Sequence, residues 1–281
     1  MLDSVSNQGQ TARILDPTTR GATAEISDRE TLKQFAPTEP IPTAGFWLTW
    51  GWPAILDLIL GRMAVKRLKP LVPHTFVPII KLCSDNREKV DKAYKIILGY
   101  HEPIRFFDSP REKWRKAYGN YVREIEWACF ELRKYFNKRA YEDLVINATA
   151  DYIREVLGPI VEQMKQSTLK QREYFSKKSD LMNKIGGMMT GLFFKVFNIT
   201  GWLAGKTTLT EVNLREGLMV MWYPDCQMLR APRMKNLPEE SCLLSCKGGC
   251  EKLFEEGIVK MTLDARLPET SCEVRMFIAD N

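Results

Sequence analysis

Residues 240–254, ESCLLSCKGGCEKLF, place Cys242, Cys246 and Cys250 at identical spacings of four. Of the seven cysteines in the 281-residue chain, Cys83 and Cys129 are scattered over the first 225 positions, while Cys226, Cys242, Cys246, Cys250 and Cys272 crowd into the last 56. Cysteines at i, i+4 and i+8 share one helical stripe, and each four-residue step climbs about 6 Å, so the outer two would stand about 12 Å apart on an unbroken helix. One zinc ion with Zn–S bonds of about 2.3 Å cannot reach both. Ligation therefore requires either a bend at Gly248-Gly249 or a larger inorganic partner such as an iron–sulfur cluster, with Cys226 or Cys272 as a further ligand. Buried apolar packing and, in an oxidising compartment, disulfides are the alternatives. The spacing matches neither the CxxC pairs of zinc ribbons nor the usual ferredoxin runs.

Around this stretch, GLMVMWYPDCQML (217–229), GIVKMTLDARL (257–267) and TSCEVRMFIAD (270–280) alternate and carry β-branched and aromatic residues, which predicts short strands. The expected order after Gly201 is strand, loop, cysteine helix and two strands. Upstream the period changes. Trp114, Tyr118, Tyr121, Ile125, Ala128, Leu132 and Tyr135 recur at steps of three and four, predicting a long helix over about 110–141 with one buried face. A second helix is expected from about 141 to Gly158-Pro159, a third from about 160 to Gly186-Gly187, and another from Leu192 to Phe197. The expected fold class is mainly α, a helical bundle, with a small C-terminal α+β unit of short antiparallel strands and a cysteine-bearing helix. Three regions are expected: a flexible arm over 1–44, a helical region over 45–200, and the cysteine-rich domain over 201–281.

The first 44 residues are polar, with Gly21, Pro37, Pro40 and Pro42 and no apolar period. They show no secretory signal pattern, and their acidic content argues against a transit peptide, so an intracellular setting is expected. Residues 46–60, FWLTWGWPAILDLIL, fall short of the about 20 apolar residues that span a bilayer and contain Pro53 and Asp57. With Arg62, Lys66 and Arg67 beyond it, this segment is either a first core helix or an interfacial helix on a membrane surface. The net charge of +6 is a small margin of 41 basic over 35 acidic residues. Nucleic acid is not an expected partner, because the basic residues of 110–141 are interleaved with Glu124, Glu126 and Glu131. His74 and His101 lie far from the cysteines in sequence and carry no assigned role.

The order Trp202-Leu203-x-Gly205, Glu211-Val212-Asn213, Cys226, Cys242-x3-Cys246-x3-Cys250, Phe254, Gly257, Met261, Ser271-Cys272-Glu273 and Phe277 resembles the β-carotene isomerase family of plant strigolactone biosynthesis over about 190–281. The resemblance implies an iron-containing protein that interconverts cis and trans double bonds of an isoprenoid, with Cys226, Cys242, Cys246, Cys250 and Cys272 as the positions for iron or an iron–sulfur cluster. Lys206, Met221-Trp222, Val259 and Leu263 depart from the family pattern, and the isoprenoid itself stays open. A related reading is cyclisation of a prenyl chain by a carboxylic acid whose pKa is raised in an apolar pocket. Glu211 and Glu273 lie on the family motif and are the candidate acids. Asn147, Asp151 and Glu155, at i, i+4 and i+8, resemble a terpene-cyclase magnesium motif with Asp151 in place of the hydroxyl residue. A membrane-associated, metal-stabilised scaffold is the non-enzymatic alternative.

Overall fold

The computed structural model describes residues 25–37, 71–106, 110–197, 208–224, 226, 240–266 and 271–279. The segment 46–60, the Trp202–Gly205 motif and Lys206 lie outside them. The fold is mainly α with a small antiparallel sheet near the C-terminus, as the sequence predicts.

Helix α1 (Arg29–Leu32) runs into a 3-10 turn, Lys33–Phe35, inside the stretch expected to be a flexible arm. The Asp28 carboxylate accepts the Thr31 N–H at 2.8 Å and caps it. Leu32 and Phe35, three apart, are both fully buried and Ile26 nearly so, so this segment contributes three side chains to the core. A π-helical turn, Val72–Phe76, leads into α2 (Val77–Cys83), and α3 (Arg87–Gly99) follows behind the Asn86 cap.

Helix α4 (Pro110–Leu132) stops earlier than its aromatic period suggested, and Tyr135 packs from the turn beyond it. Tyr121, Ile125, Ala128 and Leu132 form the predicted stripe. Burial nonetheless runs almost all round the helix between Gly119 and Leu132, taking in Glu124, Glu126 and Glu131.

Helix α5 (Lys138–Ser176) is a single element that passes through Gly158-Pro159, where a stop was expected. Proline removes one N–H bond from a helix, and α5 is half-exposed there, so water can reach the freed carbonyl. Helix α6 (Asp180–Phe197) likewise runs through Gly186-Gly187. These glycines are sites of close approach: a Cβ on Gly186 would stand 2.7 Å from the Phe175 ring, and one on Gly187 would stand 3.3 Å from the Val212 carbonyl oxygen.

The sheet contains β1 (Thr208–Asn213), β2 (Leu218–Tyr223), β3 (Val259–Arg266) and β4 (Ser271–Ile278), all antiparallel, in the order β1-β2-β4-β3. Strand β1 was not expected, because a bulge between Leu209 and Glu211 disrupts its alternation. The β1–β2 turn ends at Gly217 with φ of 67°, where a Cβ would also lie 2.5 Å from Ile278 Cδ1. Between β2 and β3 lies the cysteine helix, a π-helical segment Ser241–Gly248 continuous with α7 (Gly249–Leu253).

One hydrophobic core joins these parts. Trp127, Leu132 and Tyr141 of the helical region lie in it with Met221, Tyr223, Cys226, Cys242, Leu263, Cys272 and Val274 of the C-terminal region. The expected boundary at 200/201 therefore does not separate two cores. A smaller cluster of Leu253, Phe254, Val259, Met276 and Ile278 closes the far end of the sheet against α5 residues Ile153, Val161 and Leu169.

Candidate functional site: a buried thiol cluster

The cysteine helix lies between α4, α5 and the inner face of the sheet, and polar groups fix it at both ends. At its start the buried Glu126 carboxylate of α4 accepts the Ser241 N–H at 2.8 Å, satisfying an amide that the first turn leaves open. Arg133 pairs with Glu240 beside it. Further along, Lys247 donates to the Leu263 carbonyl at 2.5 Å and to Glu251 at 2.6 Å, while Glu251 accepts the Leu263 N–H at 2.8 Å. Strand β3 is a sheet edge, so this pair covers backbone groups that its neighbour strand leaves unpaired.

Gly248 and Gly249 do not bend the chain, which was one of the two ways expected for the cysteines to share a ligand. Both have αR backbones. Their role is contact with α5: a Cβ would come within 2.6 Å of Ile146 Cγ1 at Gly248 and within 2.8 Å of Thr149 Cγ2 at Gly249. Cys242 and Cys246 lie in the π-helical segment and Cys250 in the α-helical turn that continues it.

All five predicted cysteines belong to one core, Cys226, Cys242 and Cys272 buried in it and Cys246 and Cys250 packed against it. Cys246 and Cys250 share a thiol–thiol hydrogen bond that raises the pKa of Cys246 well above its ordinary value and lowers that of Cys250. The Cys246 S–H thus donates toward a Cys250 sulfur that more readily carries the charge. On β4, Cys272 is pushed up to about 12, first by burial and then by the thiols of Cys226 and Cys246, with Lys247 pulling the other way. Cys242 is buried in the same core. By contrast, Cys129 lies on α4 near Glu126, where burial raises it to about 12, and Cys83 is half-buried at the end of α2.

The walls of the cluster come from α4 and α5. Tyr121 is buried, and its hydroxyl pairs with Ser245; burial, together with the nearby Cys246, Tyr152 and Cys250, raises its pKa overall. Ser245 also receives the Thr149 hydroxyl at 3.4 Å. Soft thiol donors, three of them buried and Cys246 and Cys250 half-buried, with a lysine ammonium at the edge, suit iron or an iron–sulfur cluster in donor type and position. Among the described residues, no three or more His, Cys, Asp and Glu side chains are arranged to ligate one ion. The fit is thus of donor type and location, without formed coordination geometry.

The candidate carboxylates lie elsewhere. Glu211 is exposed on edge strand β1. Glu273 points to the outer face of β4, bonded to Arg275 at 2.8 Å, with Arg266 at 3.7 Å and Arg266 itself stacked over Trp222. Neither has the apolar surround that an alkene-protonating acid needs. Asn147 and Asp151 are exposed on α5, and Asp151 pairs with Arg154 at 2.7 Å, so the magnesium-like motif lies on a solvated face.

Sequence reading missed a second polar constellation. Glu124 of α4 is buried and accepts the Tyr94 hydroxyl at 2.7 Å, with His101 Nε2 at 3.2 Å from its other oxygen. Asn120 holds the Glu102 backbone through bonds of 2.8 and 3.1 Å and accepts from buried Arg123 at 3.0 Å. The available signal was the alternation of charged residues within a stripe whose aromatics were already core. No family model, curated protein or solved structure matches the chain.

Proposed function

We propose that the protein is an isomerase of a hydrophobic isoprenoid, acting on carotenoid-like cis and trans double bonds. Its centre is iron or an iron–sulfur cluster held by Cys226, Cys246, Cys250 and Cys272, with Cys242 at its side. The observation that carries this reading is that Cys246 and Cys250 share a hydrogen bond and pack on the same core as Cys226 and Cys272, which come from two other stretches of chain, with Cys226 and Cys246 near enough to shift Cys272. A bound iron centre supplies reversible one-electron chemistry, which can lower the order of a double bond for long enough to rotate it. The chain's own residues set the conditions. Lys247 partly offsets the burial that raises the Cys272 thiol, Met221, Leu263 and Val274 supply apolar core beside the cysteines, and the protonated Tyr121 hydroxyl stands beside Cys246 and Cys250. Acid-driven cyclisation has no support from Glu211, which is exposed, or from Glu273, which is half-buried between Arg275 and Arg266.

The test is iron and acid-labile sulfide analysis, with a visible spectrum, on anaerobically purified protein. Cys246→Ser, Cys250→Ser and Cys272→Ser are each expected to lose iron and isoprenoid turnover together, because a hydroxyl is a much poorer soft-metal ligand than a thiolate. Cys83→Ser is expected to keep both. Stoichiometric zinc without turnover would instead support the scaffold reading, and cluster variants that retain metal and turnover would overturn the thiolate centre.

A further inference from the structure

Helix α6 is built inside out. Its protein-facing side carries Asn183, Gly186, Gly187 and Thr190, set against β1 and the following turn. Asn183 donates to the Asn213 side chain at 3.1 Å and accepts the Arg215 N–H at 3.1 Å, and Asp180 pairs with Arg215 at 2.5 Å. These bonds and the two close glycine contacts fix the helix about its axis. The opposite side presents Leu181, Ile185, Met188, Met189, Leu192 and Phe193, with Met188 at 75% and Leu181 at 67% exposure. A surface helix ordinarily turns such residues inward, and a contiguous apolar face of this kind marks a binding surface.

We infer that this face lies in an anionic membrane surface, with α6 parallel to the bilayer plane. Its 18 residues span about 27 Å, and no described helix is long and apolar enough to cross a membrane, which suits a helix that lies in the interface. The charge around it is complementary to anionic lipid. Lys184 is the only charged residue among the exposed positions between Leu181 and Phe193, and Lys177 and Lys178 precede the helix. Of the carboxylates near the helix, Glu173 and Asp180 are paired with Lys177 and Arg215, while Glu211 and Glu216 lie on β1 and its turn, which pack against the opposite side of the helix. A second copy docked on this face would bring like charges together, whereas phosphatidylserine or phosphatidylglycerol headgroups would neutralise them. The inference rests on the isoprenoid reading only for its purpose, delivery of a membrane-dissolved substrate.

The test is flotation of the full chain with phosphatidylcholine vesicles, with and without phosphatidylserine. The wild type is expected to float with the anionic vesicles and to release as salt rises. Met188→Glu with Met189→Glu is expected to lower the affinity at least tenfold, and Lys184→Ala about fivefold on anionic vesicles alone. The thermal midpoint and monomeric state should be unchanged in these variants. Three results would each overturn the inference: unaltered binding in the double variant, a lowered midpoint showing that the chain itself covers the face, or a lipid-free wild-type dimer that the double variant splits. Vesicle binding reads neither iron nor turnover, so its failure is distinct from failure of the thiol centre.

Discussion

Replacing Gly249 by alanine tests how the cysteine helix is held. In an unobstructed helix interior, Gly→Ala stabilises by about 1 kcal/mol through backbone entropy. At Gly249 the new Cβ would meet Thr149 Cγ2 at 2.8 Å and Thr149 Cβ at 3.1 Å. Rotating Thr149 about χ1 would remove the first contact but leave the second, and would give up the hydroxyl bond to Ser245. Overpacking of this kind costs about 1–3 kcal/mol, so after the propensity gain Gly249→Ala should lie between neutral and about 2 kcal/mol destabilising, well below the gain expected of an unobstructed site. Gly191 in α6 provides the control, because a Cβ there meets nothing within 4 Å and the same substitution should stabilise. Thr149→Ser removes Cγ2 while keeping the hydroxyl, so it should recover about 1 kcal/mol in the double variant. Urea denaturation reads all four proteins. Thiol titration of the folded state should show Cys246 and Cys250 reacting faster in Gly249→Ala, since the helix must move off α5. If Gly249→Ala stabilises as much as Gly191→Ala, the glycine pair is not a packing device and the docking described for the thiol cluster is wrong.

Two further outcomes follow from other parts of the molecule. Phe35→Ala should cost about 3–5 kcal/mol in global denaturation, because Phe35 is fully buried edge-on to Phe130 at 5.7 Å; a cost near zero would return residues 25–37 to a dispensable arm. Cys129 is raised from 9.0 to about 12, so above pH 9 the unfolded chain binds fewer protons at this site than the folded one, and stability should fall as pH rises from about 9 to 12. The Cys129 contribution is at most about 4 kcal/mol, and Cys129→Ala should flatten the decline when denaturation midpoints are compared across that range.

The sequence reveals the class of the fold because its two periods are strong: the three- and four-residue steps from Tyr121 to Leu132, and the alternation in β2, β3 and β4. It fails where a residue's usual local meaning is reversed by a neighbour. Gly186-Gly187 and Gly248-Gly249 read as a stop and a bend, yet both are places where another chain segment crowds the position of a Cβ. Pro159 reads as a terminus, but one lost amide bond on a half-exposed stretch does not end a helix as long as α5. The clustering of cysteines was visible in their spacing and position. Which of them meet was not, since Cys226 and Cys272 come together with Cys246 and Cys250 only through the β2–β4–β3 pairing. Glu211 and Glu273 share a motif with the cysteines, but side-chain alternation along a strand sends Glu273 to the opposite face from Cys272.

The buried carboxylates of α4 explain why these parts form one body. Each reaches a different piece of chain: Glu124 holds Tyr94 of α3 and faces His101, Glu126 holds the first amide of the cysteine helix, and Glu131 receives Lys134 at 3.0 Å and the Ser27 N–H at 3.4 Å. Lys134 in turn bonds the Glu25 carbonyl at 3.2 Å, which ties the N-terminal segment to the same helix. A carboxylate in a dry interior is costly unless bonded, so these three positions specify which segments must dock against α4 as well as holding them there. The thiol cluster inherits that specificity. Its helix begins at a charge supplied by α4, its glycines lie against α5, and its lysine and glutamate close the edge of β3. The helix that carries Cys246 and Cys250 is therefore held by residues of α4 and α5 about a hundred positions upstream as well as by β3, and Glu126 contributes without approaching the proposed centre as a ligand.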